Sequence, residues 1–170
     1  MIIGLSGYAK SGKDEVARMI TSNRPKWEVR KFSGKLKEVA SILTGIPTSM
    51  FENQQFKTKY LPGWDMTVRE FLQRVGTEGI RNGVHEDAWV NALFSDYYNQ
   101  DQWIITDCRF PNEANAIKDR GGKIVRIVRP GVSAVNAHPS ETALDEWDFD
   151  HVIHNDGTLE ELKTKALEIL

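Results

Sequence analysis

GLSGYAKSGKDEVA, residues 4–17, begins as the tail of an apolar run and then breaks into glycines, a lysine and an aspartate. Met1 to Leu5 is the short apolar segment of a buried strand, and Val16, Ala17 and Ile20 recur at helical spacing behind the break. Between that strand and that helix, Gly7, Gly12 and Lys13 fit the spacing G-x-x-x-x-G-K, with Lys10, Ser11 and Glu15 beside them. Glycines let the backbone curl until successive N–H groups point inward, the helix start adds the positive end of its dipole, and Lys13 can reach a terminal phosphate. The plainer alternative, a Gly-rich turn that only joins strand to helix, is disfavoured by the two flanking elements. Asp14 stands where such a loop normally carries Ser or Thr.

Outward from this loop, strands and helices alternate. WEVRKF (27–32) is a second strand, and KLKEVASILTG (35–45) places Leu36, Val39, Ala40 and Leu43 on one helical face, with Gly45 as a stop. Thr67 opens TVREFLQRVGTEGI with a capping box closed by Glu70, and EDAWVNALFSDYY is a further helix. QWIITD (102–107) is a strand ending in an acid, and Pro111 starts a helix that two glycines close. KIVRIVRP and DHVIHND supply two more strands, and Thr158 with Glu161 caps a last helix. The pattern predicts an α/β fold, a parallel sheet with helices on both faces. The polar stretch from Thr48 to Trp64 reads as a mobile insertion.

Size and charge narrow the partners. A chain of 170 residues with 40% hydrophobic content buries one sizeable core, so a single domain is expected. A net charge of −2, with the basic residues scattered, gives no field for a nucleic acid backbone, so the expected ligand is small. Cys108, the single cysteine, forms no internal disulfide, and neither a signal-peptide pattern nor a long apolar run stands in the sequence. Together these point to a cytoplasmic setting without a membrane partner.

A phosphate-binding loop serves kinases, GTPases and nucleotide-driven switches alike. No N-K-x-D guanine-reading motif follows, which weighs against a GTPase. TDCRFPNEA instead offers Asp107 at a strand tip, then Arg109 and Glu113. The carboxyl end of a parallel strand opens on the ligand crevice, where Asp107 can orient magnesium and Arg109 can clamp a phosphate. Read plainly, Asp107 and Arg109 are turn residues and Glu113 only favours a helix N-terminus. Further on, RIVRPGVSAVNAHPSE carries Arg126 and Arg129, then His138 and Glu141. Arg129 suits a residue that closes over a transferring phosphoryl group, whereas four dispersed histidines make no metal cluster.

GYAKSGKDEVA, SGKLKEVA, TVREFLQRVGT, TDCRFPNEA, VRIVRPG, HPSE and NDGTLEEL, in that order, resemble the deoxynucleoside monophosphate kinases of tailed bacteriophages. The resemblance implies a three-layer P-loop kinase fold over 1–170, with an acceptor-binding region at 34–100 and a short lid at 129–142. It implies transfer of the γ-phosphoryl group of ATP to a deoxynucleoside monophosphate, with Mg²⁺, in the host cytoplasm if the chain is phage-encoded. A homodimer is left open.

Residue by residue, the resemblance puts Leu36 and Lys37 beside the acceptor, Arg69 on its phosphate, and Gln73, Thr77 and Trp89 nearby. Asp107, Arg109 and Glu113 complete that acceptor set. ATP falls to Gly7, Lys10, Ser11, Gly12, Lys13, Asp14, Glu15 and Arg129, with Asn155 and Gly157 toward adenine; Asp14 and Asp107 are the metal candidates. Singly, Lys37 also reads as a solvated helix face, Arg69 as the partner of a nearby acid, Trp89 as core, and NDG as a turn. Ala9 departs from the expected second basic residue beside Lys10. Another small-molecule P-loop kinase, of the phosphomevalonate kinase type, and a non-catalytic nucleotide-binding module stand as alternatives.

Overall fold

The computed structural model of the chain describes residues 1–134 and 139–170, which form two compact units, 1–31 with 96–170 and 32–95. In the first unit, five strands lie in the order β2-β5-β1-β6-β7 and every neighbouring pair is parallel. They are β1 (Ile2–Ser6), β2 (Trp27–Arg30), β5 (Gln102–Ile105), β6 (Lys123–Val128) and β7 (His151–His154). The remaining strands, β3 (Tyr60–Leu61) and β4 (Met66–Thr67), form a small antiparallel hairpin in the second unit.

All five residues of β1 are buried, with no alternation, because a central parallel strand is covered on both faces. On one face, α1 (Lys13–Asn23) and α8 (Leu159–Glu168) pack Val16, Ala17, Ile20, Leu162 and Ala166 against Ile3, Leu5, Ile104 and Val125. On the other, α6 (Pro111–Lys118) comes so close that a Cβ at Gly4 would meet Ile117 Cδ1 at 2.7 Å. Gly4 therefore sets the depth at which α6 seats on the sheet. The result is the expected three-layer sandwich.

The predicted strand 102–107 ends at Ile105; Thr106 N–H still reaches the Arg30 carbonyl at 3.3 Å, and both Thr106 and Asp107 lie in the turn that follows. Register brings Gly4 beside Ile105, Ser6 beside Arg126 and Val128 beside His154. The carboxyl ends of β5, β1, β6 and β7 thus follow one another along one edge of the sheet, and each runs directly into a segment that carries candidate residues.

The second unit consists of α2 (Ser33–Thr44), a 3₁₀ turn (Thr48–Glu52), α3 (Gln54–Lys57), the hairpin, α4 (Val68–Gln73), a π-helical segment (Arg74–Arg81) and α5 (Ala88–Phe94). Its core gathers Ala40, Phe51, Leu61, Val68 and Phe71. The stretch from Thr48 to Trp64 is accordingly not a loose excursion but part of the packed unit: Phe51 is fully buried, Phe56 packs edge-on to it at 6.4 Å, and Trp64 meets Phe71 at 4.6 Å. Scattered aromatic anchors in a polar background hid this from periodicity.

Thr67 and Glu70 form the predicted capping box, but the helix they start changes pitch after Gln73. Asn82 N–H bonds the Thr77 carbonyl and His85 N–H that of Ile80, both five residues back. Gly76, inside the widened stretch, lies so close to α2 that a Cβ there would meet Leu36 Cδ2 at 2.8 Å.

Candidate active site

The loop between β1 and α1 takes its shape from backbone that side chains tolerate poorly. Gly7 (φ 145) and Gly12 (φ 111) have positive φ, and so does Lys10 (φ 68). A Cβ at Gly7 would lie 2.5 Å from the Ile127 carbonyl, so only glycine lets the loop run this close to β6. A Cβ at Gly12 would meet Asn155 Nδ2 at 2.6 Å, and that same amide donates to the Ser11 carbonyl at 2.9 Å. Asn155, just past β7, thereby braces the loop, a role that N-D-G as a mere turn does not disclose. Gly157 serves its own helix: a Cβ there would fall 2.1 Å from Glu161 Oε2, which caps α8 by accepting from Thr158 N–H.

Lys13 folds back over the loop, donating to the carbonyls of Gly7 at 2.6 Å and Tyr8 at 2.8 Å. Burial and the nearby Arg109 cation lower its pKa to about 8, against the pull of Asp14, Glu141 and Asp107. Five charged groups from three segments, the start of α1, the turn after β5 and the helix that carries Glu141, therefore share one field. Ser11 is 1% exposed and its Oγ has no partner among the described residues, an unspent hydroxyl inside the loop. Asp14 is exposed at the first turn of α1, with Lys31 Nζ 3.6 Å away. Glu15 spends its carboxylate on Arg18, and Lys10 projects into solvent.

Past β5, Asp107 is half-buried in the turn and Cys108 is fully packed. Burial, then Glu113 and Asp107, push the Cys108 thiol up, which makes it a space-filling group and no nucleophile. Glu113, 3% exposed, accepts from the backbone N–H groups of Arg109 at 2.8 Å and Phe110 at 3.1 Å. Its carboxylate thus shapes the turn that presents Arg109. Arg109 Nη1 donates to the Ser140 carbonyl at 3.0 Å and to Glu141 Oε1 at 2.5 Å, on α7 (Pro139–Thr142).

Arg129 is the first residue past β6, exposed, with no side-chain partner among the described residues. His138 and the middle of the expected lid, 135–138, lie outside the described residues.

One cluster escaped the sequence. Arg126 lies over the Tyr8 ring at 4.8 Å and the Phe149 ring at 5.5 Å, donating to Ser6 Oγ at 3.1 Å and Asp145 Oδ1 at 2.7 Å. Tyr8 donates its hydroxyl to Asp145 Oδ2 at 2.9 Å, which raises its pKa. This knot ties the loop after β1 to β6 and to the segment after α7. Only the alternation of β6, with Arg126 between buried Val125 and Ile127, hinted that the arginine needed a partner.

In the second unit the candidate residues are already engaged. Trp89, 9% exposed, donates Nε1–H to the Gly76 carbonyl at 2.8 Å, and Leu36 packs on the same glycine. Lys37, 7% exposed, places Nζ 2.5 Å from Glu52 Oε1. Arg69 Nη2 reaches Gln54 Oε1 at a long 3.4 Å, Gln73 ends α4 half-buried, and Thr77 sits in the π segment. Among the described residues no three His, Cys, Asp or Glu side chains cluster as a metal cage, and no helix is long and apolar enough to cross a membrane.

Similarity to known proteins agrees with this architecture. Shikimate kinase from Acinetobacter baumannii superposes with a TM-score of 0.56 at 15% identity, over 98% of this chain and 90% of that one, a likeness of fold. Deoxynucleotide monophosphate kinase of Enterobacteria phage T4 is 36% identical over 61% of this chain, and the chain spans only 45% of that relative's length. A protein of Acanthamoeba polyphaga mimivirus, provisionally named for the same activity, is 29% identical over 98% of this chain and 94% of its own. The family model described as deoxynucleotide monophosphate kinase matches residues 45–166, well over half of the sequence, and the chain belongs to that family.

Proposed function

We propose that this chain is an ATP-dependent kinase that transfers the γ-phosphoryl group of ATP to a deoxynucleoside monophosphate, giving ADP and the diphosphate. The observation that carries the reading is the shared field around Lys13, in which Arg109, Asp14, Asp107 and Glu141 all act on one ammonium at the carboxyl edge of the sheet. In this reading 1–170 is one kinase, with 34–100 as the acceptor-binding region and 129–142 as the lid.

The loop fits a polyphosphate on physical grounds. The unspent Ser11 hydroxyl, the start of α1 and a lysine held only by two carbonyls are donors that a phosphate satisfies. When it binds, Lys13 exchanges those carbonyls for phosphate oxygens, whose negative charge favours the ammonium form that burial disfavours. Gly7, Lys10 and Gly12 contribute through the curl of the loop and Glu15 from the first turn of α1; Asn155 and Gly157 act through the segment behind it. Asp14 and Asp107 suit Mg²⁺, which takes one or two carboxylates along with phosphate oxygens and water, so the lack of a three-residue cage among the described residues is no obstacle. Magnesium supplies charge neutralisation between phosphates.

The acceptor's phosphate oxygen forms the new P–O bond as the bond to ADP breaks, and negative charge spreads over the transferring group. Arg109 grips the acceptor phosphate with planar paired donors, and exposed Arg129 is free to close on the transferring group. Glu113 fixes the turn carrying Arg109. Arg69, Leu36, Gln73, Lys37 and Trp89 belong to acceptor recognition in the same reading, the last two by shaping the unit more than by touching the ligand. A coupled ADP-release assay over the four deoxynucleoside monophosphates and their ribonucleotide counterparts tests the reading. ADP release that depends on a deoxynucleotide acceptor is expected; ATP binding without acceptor-dependent release would mark a non-catalytic module.

A further inference from the structure

Arg109 is held by a carboxylate for which phosphate chemistry alone gives no reason. Glu141 has a side chain only 5% exposed, against 40% for Arg109, so the acid is the fixed partner and the guanidinium the accessible one. Its negative charge also reaches Lys13, so an acid sits buried between two cations that a phosphate would want. Placed there without a task, it would repel the ligand and weaken binding.

Covalent geometry supplies the task. In a guanidinium Nη1 lies on the side of Cδ, and Nε–H with Nη2 forms a separate two-donor edge. Glu141 and the Ser140 carbonyl both engage Nη1, and the Nε/Nη2 edge has no partner among the described residues. Two parallel donors on an edge of fixed direction match two oxygens of a phosphate dianion. The segment bearing Glu141 has other anchors, Leu144 at 2% exposure and the Asp145–Arg126 pair, so the acid is not needed to hold it down.

We propose that Glu141 is a positioning residue: by tying down Arg109 Nη1 it aims the Nε/Nη2 edge at the acceptor monophosphate. The inference rests on the kinase reading of Arg109. Glu141 acts on the acceptor phosphate through the arginine and not by touching it.

The test is a double-mutant cycle of Glu141→Gln and Arg109→Ala, with acceptor KM, kcat, ATP KM and melting midpoint measured for each form, and acceptor binding followed by calorimetry. Glu141→Gln keeps shape and an acceptor oxygen but removes the charge, so the acceptor KM should rise by about tenfold while the ATP KM stays within about twofold. In the Arg109→Ala background the same change should add nothing, and Glu141→Asp should restore part of the affinity. Additive losses, an unchanged acceptor KM, or a Gln variant without a cooperative melt would each overturn the inference. A parent that phosphorylates no deoxynucleoside monophosphate would overturn the kinase reading and this inference with it, whereas an active parent with additive losses would overturn the inference alone.

Discussion

The candidate residues of the two units differ in what their side chains already do. In the first unit Lys13 rests on two loop carbonyls, Asp14 and Arg129 face solvent, and Arg109 keeps one edge of its guanidinium without a partner among the described residues. In the second, Trp89 has spent its N–H on Gly76, Lys37 its ammonium on Glu52, and both are buried. Side chains of the first kind are open to a ligand; those of the second are engaged within their own unit. The same substitution should therefore cost activity in one unit and stability in the other.

The largest effect belongs to Lys13. Lys13→Ala should lower kcat/KM by on the order of a hundred- to a thousandfold and leave the melting midpoint nearly unchanged, since only two loop carbonyls lose a donor. Steady-state kinetics beside a thermal melt separates the two quantities, and a large fall in the midpoint would break the comparison.

Trp89 should behave in the opposite way. Trp89→Ala should cost about 3 kcal/mol or more in denaturant unfolding, and Trp89→Phe about 1 kcal/mol for the Gly76 carbonyl left without its donor. A Phe variant of full stability with a raised acceptor KM would instead move Trp89 into contact with the ligand.

Asp14 sharpens the first half. Asp14→Asn preserves shape and removes charge, so the magnesium concentration for half-maximal rate should rise several-fold and kcat should fall. A titration curve that overlays the parent would leave Asp14 as a helix-start residue paired to Lys31.

The smallest effect lies in the caps. Hydrogen bonds from Thr67 and Thr158 lower the pKa values of Glu70 and Glu161. A lowered folded pKa contributes stability above the ordinary glutamate range, and that contribution is lost as pH falls through the folded value. Glu70→Gln and Glu161→Gln should each lower the melting midpoint slightly at neutral pH, with the gap to the parent closing in acid. A gap that persists unchanged in acid would assign the loss to shape and not to charge.

Legibility in the sequence followed the same division. The loop, the parallel strands and the turn after β5 are local patterns, with spacing and chemistry within a dozen residues, and they read directly. Glu113 was legible as a helix-start acid, and that is what its two backbone bonds make it. The second unit is built on pairs far apart in the chain: Trp89 with Gly76 across 13 residues, and Lys37 with Glu52 across 15. Nothing in a periodicity announces such partners, nor the close approach of Leu36 to Gly76 in the widened stretch. The Arg126 knot escaped for the same reason, since its Ser6 partner lies 120 residues away.

The central claim is transfer of a phosphoryl group from ATP to a deoxynucleotide at the Lys13 loop. Its most direct test supplies ATP labelled at the γ-phosphorus together with each deoxynucleoside monophosphate and follows the label by chromatography. The account predicts label in a deoxynucleoside diphosphate with the parent and almost none with Lys13→Ala. Label released only as inorganic phosphate, or transferred equally well by the variant, would contradict it.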